Sequence, residues 1–419
     1  MNGTLHKPPQ LAIFGGRLHC IFIENAAEET LLWFSRPLLS FQLFSWMSHY
    51  QDHTSLSSLT IPGTHDYSIA QPLTLWQQLN LGIRFFDLRL QLEADGLFCA
   101  FRSSIDRLLF CSFSSIMRDV FEFLVAQQSE TVLISIAQDG SQSWVPPIRF
   151  CSAVRTEIDA MADASGGRFR WYTLSDIPDL GTVRSRAVLL RRFPLPTHVL
   201  GSPLPLGVDF SNWEESEPAS GSNLTDPSHT GKVFVLSKFL IPRGMPLATL
   251  VRIHSRKVVD HMLRSCRREA GTWSVAFCSA HCHPTVRSEE TFEAVHVAAG
   301  AHSKLSNKWV DGMNIVLARF LRNMSSSGWD QKIRRKSGLG IVLMDFPDED
   351  ESDDAVATLI EMNFPPWLRR SPGTNGVGRP GAGGFGLFER YRDAVDSEAE
   401  EESVGTPTGA KRGPDDTET

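Results

Sequence analysis

The chain has 419 residues, a formal net charge of −7 and 42% hydrophobic residues, with 10 tryptophans and 26 phenylalanines. That is enough apolar material for one large core or two ordinary ones, which excludes a wholly disordered chain. Nine acids against three bases fall in residues 391–419, so the remainder is close to neutral. It therefore lacks the dense basic surface that non-specific nucleic-acid binding requires, and no nucleic-acid partner is expected.

Residues 1–45 read as an N-terminal extension. Within and just beyond it, Leu31–Met47 is apolar and aromatic but is interrupted by Arg36 and Pro37. It is too short to span a bilayer. Trp33, Phe34, Phe41, Phe44 and Trp46 suit either a membrane surface or, more simply, packing against a core. The N-terminus shows no basic region leading into an apolar run and a cleavage site. Seven cysteines, an odd and scattered set, suit thiols in a reducing compartment. The expected location is cytoplasmic or peripheral to a membrane, with no transmembrane segment.

From residue 46 to about 370 short apolar runs alternate with helical patterns. Strands are expected at Leu59–Ile61, Ile83–Leu90, Thr131–Ile136, Ala187–Phe193, Leu206–Phe210, Val233–Leu236, Trp273–Phe277 and Gly340–Met344. Several are continuous apolar runs, as strands covered on both faces are. Ile116, Val120, Phe123 and Leu124 share one face of a helix over Ser115–Gln127, with Ser114 or Ser115 as its cap. Met313, Val316, Leu317 and Phe320 repeat at helical spacing within Trp309–Arg322. Eight strands alternating with helices predict an α/β chain, a (β/α)8 TIM-type barrel or a variant of it. Residues 371–419 turn Gly/Pro-rich and then acidic, a composition that cannot bury enough apolar surface to fold alone.

Barrel active sites gather at the carboxyl ends of strands. The first strand runs into Ile61-Pro62-Gly63-Thr64-His65-Asp66, the second into Phe86-Asp87-Leu88-Arg89, and the eighth into Met344-Asp345-Phe346. Arg184 lies just before the fourth. A histidine can take a proton near neutral pH. An arginine presents a fork of donors that fits phosphate oxygens. A carboxylate can fix the imidazole tautomer. These residue types converging on one mouth suit phosphoryl transfer without a metal or other cofactor.

The stretch Ile61–Asp66 followed by Gly82-Ile83-Arg84-Phe85-Phe86-Asp87-Leu88-Arg89 resembles the X domain of phosphatidylinositol-specific phospholipase C. Ser129–Ser135, Arg184–Leu190 and Gly340–Phe346 extend the resemblance in the same order, over roughly residues 46–365. It is nearer to the bacterial and fungal single-domain enzymes than to the large calcium-dependent ones. The resemblance implies a distorted, incompletely closed barrel. It also implies cleavage of an inositol phospholipid at a membrane surface, through attack by the inositol 2-hydroxyl, giving diacylglycerol and a cyclic inositol phosphate. On it, His65 is the general base, Asp345 orients His65, and Arg89 holds the phosphate with Asp87 nearby. Arg184 contacts the inositol, and Asp66 is the carboxylate that partners a second catalytic histidine.

That second histidine has no counterpart. The family carries a His-Gly pair shortly after the second strand, whereas this chain reads Leu97-Phe98-Cys99-Ala100-Phe101-Arg102-Ser103-Ser104-Ile105. No histidine falls between His65 and His198. Asp66, Cys99 or water are the substitutes for a missing general acid, whose loss typically costs ~10²–10⁴ in rate. Tyr67 stands where the family has a small residue.

Three readings follow. One is an active phosphodiesterase, one an impaired relative that still binds inositol phosphate or lipid, and one a metal-dependent glycerophosphodiesterase-like barrel. The third should show clustered acidic ligands near the first strand, which are not evident. Several simpler alternatives stand beside them. Asp87 and Arg89 can form a buried ion pair. Cys278, His281, Cys282 and His283 have no clean second ligand pair for zinc. His254 and His261 fit one helix face. The Asn223-Leu224-Thr225 and Asn323-Met324-Ser325 sequons mean little without a secretion signal.

Overall fold

The computed structural model describes residues 10–14, 17–21, 43–65, 73–99, 111–195, 205–211, 229–230, 233–236, 239–241, 245–268, 271–282, 294–303, 307–326, 337–347 and 355–364. All eight expected strands form, and all lie in one sheet. They are β1 (Thr60–Thr64), β2 (Phe85–Glu93), β3 (Thr131–Gln138), β4 (Arg186–Arg191), β5 (Val208–Asp209), β6 (Val233–Leu236), β7 (Trp273–Phe277) and β8 (Gly340–Met344).

Consecutive strands are parallel neighbours from β1 to β5 and again from β6 to β8. β8 pairs with β1, which turns the sheet back on itself. Among the described residues β5 and β6 do not pair, so the ring is open there. This is the distorted (β/α)8 barrel expected from the sequence.

The strands are continuous apolar runs because both faces are covered. β1, β7 and β8 are buried at every position. Helices between or beyond the strands include α1 (Leu75–Leu81), α2 (Phe113–Ala126), α3 (Pro147–Ala164), α4 (Leu180–Val183), α5 (Leu247–Ser265), α6 (Met313–Ser326) and α7 (Ala355–Glu361). In α2, Ile116, Val120, Phe123 and Leu124 are buried as their spacing requires. The cap is Ser112, two or three residues earlier than expected. Its Oγ accepts the Ser115 N–H at 3.2 Å, so the first turn starts at Phe113. The helix expected from Trp309 begins at Met313, because Trp309–Asp311 pairs antiparallel with Gly300–His302 and Gly312 breaks the run.

Tight packing fixes two glycines. A Cβ on Gly63 would lie 2.8 Å from Leu343 Cδ2 and 2.9 Å from Phe85 Cβ, inside the barrel. Gly82 ends α1 with φ +108, and a Cβ there would meet Ile360 Cδ1 at 2.4 Å.

The amino end of the barrel is closed by Leu43–His49. Trp46 is fully buried and donates from Nε1 to the Gly82 carbonyl at 3.1 Å. For this part of the apolar N-terminal stretch, packing against the barrel is therefore the observed state; residues 31–42 lie outside the described residues. An arginine ties the segment down. Arg84, wholly buried, pairs with Glu130 at 2.9 Å and donates to the carbonyls of Leu79, Ile83 and Phe44. Glu130 in turn accepts the Met47 N–H at 3.1 Å. With both charges paired and hydrogen-bonded, the burial of each is tolerable. The antiparallel pair Gln10–Phe14 and Arg17–Ile21 is the remaining described part of the N-terminal extension.

Candidate active site

Strand register brings the expected residues to one level. Thr64 is opposite Met344 on one side and Phe86 on the other. The next residues, His65, Asp345 and Asp87, therefore share the following layer, and Asp87 is opposite Ser135 of β3. Side chains two apart on a strand share a face, so Asp87 and Arg89 point the same way.

His65 leaves β1 with its N–H directed at the Met344 carbonyl, 3.4 Å away. Its ring sits between two carboxylates. Nδ1 is 3.7 Å from Asp345 Oδ1, and Nε2 is 3.9 Å from Asp87 Oδ2. The edge of the Phe277 ring closes one side, with centroids 5.2 Å apart and planes at 74°. The imidazole is nearly buried, so both carboxylates act on it through little water.

Asp87 is completely buried in β2. Its Oδ1 accepts from Arg192 Nη1 at 2.7 Å and from Ser135 Oγ at 2.9 Å. Burial by itself pushes this carboxyl up, but the charge of Arg192, then of His65 and Arg89, outweighs it. The net effect holds Asp87 well below the usual carboxylate range, and it is ionised at neutral pH. Arg192 follows β4, and sequence reasoning passed over it in favour of Arg184. Its signal was there: it ends an apolar strand, on the side where function collects. Asp87 is ion-paired with Arg192, and the charge of Arg89 acts on the same carboxylate.

Asp345 is positioned by a residue the motifs did not indicate. Asn314, buried in α6, donates from Nδ2 to the carbonyls of Asp345 and Phe346 at 3.0 and 3.1 Å. Phe346 adopts φ +48, a left-handed conformation that is uncommon for a bulky side chain. The two hydrogen bonds brace this turn and hence the carboxylate facing His65.

Arg184 does not join the cluster. It precedes β4, at the amino end of the barrel. Its Nε pairs with Asp52 at 2.6 Å, and its Nη atoms donate to the carbonyls of Ser129, Met47 and Tyr50. Arg184, which the resemblance implies as an inositol contact, is held by these bonds at the amino end of the barrel and stands apart from His65, Asp87 and Asp345. Gly181 belongs to the same arrangement, since a Cβ there would press on Asp52 Cβ at 2.6 Å.

Asp66 and Tyr67 lie outside the described residues, as does Ala100–Phe110 with its Phe101. Cys99 closes a hairpin strand (Gly96–Cys99) paired with the far end of β2. Of the zinc reading, Cys278 is buried, and burial followed by the Asp345 charge pushes its thiol up. His283 is outside the described residues. His254 and His261 share the buried face of α5 as expected. Among the described residues no group of three or more His, Cys, Asp or Glu side chains is placed to hold one metal ion.

Fold and cluster together define an α/β barrel with a histidine set between two carboxylates and two guanidinium groups nearby at its carboxyl mouth. Similarities to known proteins run the same way. The chain matches no protein-family model. It is 22% identical to a 1-phosphatidylinositol phosphodiesterase of Listeria monocytogenes over 321 residues, 73% of this chain and 81% of that protein. It is 27% identical to a 1-phosphatidylinositol phosphodiesterase of Staphylococcus aureus over 108 residues, 23% of this chain and 34% of that one. Among solved structures, a histidine-to-tyrosine mutant of the phosphatidylinositol-specific phospholipase C from Staphylococcus aureus superposes with a TM-score of 0.51. Sequence identity there is 18%, covering 79% of this chain and 99% of that one. This last likeness is one of fold.

Proposed function

We propose that the chain is a phosphodiesterase of the phosphatidylinositol-specific phospholipase C type, acting on inositol phospholipid at a membrane surface. The observation that carries the reading is the bracketing of His65 by Asp345 and Asp87 at the carboxyl mouth, beside Arg89 and Arg192. His65 takes the proton of the inositol 2-hydroxyl, whose oxygen attacks phosphorus. The bond from phosphorus to the diacylglycerol oxygen breaks, leaving a cyclic inositol phosphate. Asp345 fixes the ring and stabilises its charged form. Arg89 neutralises the phosphate oxygens, a larger effect in a site shielded from water. Arg192 keeps Asp87 ionised and in place. The leaving alkoxide needs a proton, and Asp66 is the residue proposed to supply it.

No helix among the described residues is long and apolar enough to cross a membrane, so access to lipid is proposed to be peripheral. A second reading rests on the sequence around Cys99, where the family's second histidine has no counterpart. On it, the same pocket binds inositol phosphate but turns over slowly or not at all. Purified full-length protein mixed with phosphatidylinositol vesicles, with and without chelator, separates the two. Release of diacylglycerol together with cyclic inositol phosphate supports the enzyme. Saturable inositol phosphate binding without release supports the second reading, and neither result would leave both without support.

A further inference from the structure

Scattered in sequence, two of the seven cysteines meet in the fold. Cys99 ends the strand Gly96–Cys99, and Cys111 begins the short strand Cys111–Ser112. The two strands pair antiparallel with Cys99 directly opposite Cys111. Directly opposed residues of such a pair stand about 4.5–5.5 Å apart at Cα and project from the same face. A disulfide spans about 4.4–6.8 Å between Cα atoms, so no backbone rearrangement is needed to join them. Both are thiols here; Cys99 is buried and Cys111 half-buried, which gives one sulfur an approach from solvent. Of the other cysteines, Cys151, Cys266 and Cys278 are buried in the core.

We propose that Cys99 and Cys111 form a dithiol site that a small disulfide such as oxidised glutathione converts to a cross-strand disulfide. The half-exposed Cys111 sulfur, as thiolate, attacks the glutathione disulfide and expels one glutathione thiolate. The Cys99 sulfur then attacks the mixed disulfide and expels the second. The protein loses two electrons and two protons, and two molecules of reduced glutathione carry them away. Burial pushes the Cys111 thiol up, opposed by a hydrogen bond with Ser115 and reinforced by Asp119, so the first step is slow at neutral pH and faster in alkali. Cross-strand geometry lies towards the strained end for disulfides, and strained bonds are the more readily reduced ones. The bond is therefore reversible by ordinary thiols.

The position gives the bond a consequence. Cys99 is also opposite Leu90, the residue after Arg89 on β2, and Ser112 caps α2. Oxidation ties the strand beside Arg89 covalently to the start of α2.

The test uses the full-length protein, incubated with oxidised glutathione at mildly alkaline pH, quenched with iodoacetamide and digested without reductant. The expected result is one linked peptide pair joining Cys99 to Cys111, a whole-protein mass lighter by two hydrogens, and loss of the link after dithiothreitol. In Cys111→Ser the linked pair should vanish while Cys99 becomes alkylated. Recovery of both residues fully alkylated from the oxidised wild type, or of stable glutathione adducts in place of the link, overturns the proposal. So does a link from Cys99 to any other cysteine.

Discussion

Arg192 Nη1 meets Asp87 Oδ1 at 2.7 Å across the intervening strand β3, which adds Ser135 Oγ to the same oxygen at 2.9 Å. Both charges are almost entirely out of water, so each depends on the other. Removing one partner of such a pair typically costs about 3–5 kcal/mol, because the survivor is left charged and buried. Arg192→Ala should lower stability by that order in urea denaturation. The double variant with Asp87→Asn should recover part of the loss, since no lone buried charge remains. Additive losses would show that the pair is not coupled.

His65→Ala should abolish diacylglycerol release while leaving the denaturation midpoint nearly unchanged. Asn314→Ala should act more subtly, through the Asp345–Phe346 turn. Its two donated bonds are lost, and the carboxylate facing His65 loses its brace. We expect turnover to fall roughly tenfold or more with substrate affinity little changed, as for a lost supporting hydrogen bond around a reactive centre. An unchanged turnover number in steady-state assays would remove Asn314 from the positioning role.

Arg184 and Arg89 are expected to part company when each is replaced by alanine. Arg184→Ala loses its bonds to Asp52, Ser129, Met47 and Tyr50, so it should destabilise the fold by about 1–3 kcal/mol. Binding of inositol phosphate by the folded fraction should be unaffected. Arg89→Ala should weaken that binding, or slow turnover, with a smaller effect on stability. Calorimetric titration alongside thermal melts distinguishes the two patterns, and reversed outcomes would restore Arg184 to the site.

Acid should weaken the fold through α5. Burial, followed by the charge of Lys257, lowers His254 to about 4. Burial, followed by Arg268 and Arg264, lowers His261 to about 3. Above about pH 6.5 the rings are neutral folded or unfolded and contribute nothing to the pH dependence. As pH falls from about 6.5 towards 4 and 3, the unfolded chain gains protons that the folded one refuses, and stability drops. Each ring accounts for roughly 3–5 kcal/mol over that window. His261 also touches the Ser274 hydroxyl at 3.0 Å and stacks on Phe234, so its replacement has a packing cost as well. His254→Gln and His261→Gln should flatten the pH slope of stability whatever they do to its value at pH 7.

Much of this fold is legible in the amino-acid order, because strands covered on both faces must be continuously apolar. Thr131–Ile136 and Trp273–Phe277 announce themselves in that way. The boundaries that shift do so for local reasons. Ser112 caps α2 because its hydroxyl reaches the third N–H on, and Trp309–Asp311 is claimed by pairing with Gly300–His302. His65 and Asp345, which follow strands, and Asp87 and Arg89, which lie within one, were readable as neighbours because each sits in a motif. Arg192 showed only as an arginine at the end of an apolar strand and Asn314 not at all, because their partners depend on register and on which helix abuts which turn. Arg184 shows the opposite case. A conspicuous arginine beside a strand acquires its partners from the amino end, and sequence alone does not say which end a flanking residue faces.

Among the described residues β5 and β6 do not pair, which leaves the sheet with two terminal strands there. One of them, Val208–Asp209, is two residues long, and the other side ends on the antiparallel His229–Thr230 pair. A bare strand edge invites another polypeptide to add to it, and brevity is one way proteins discourage that. Among the described residues this seam offers a stray neighbour little ladder to extend, which bears on how concentrated the protein can become before copies begin to stick.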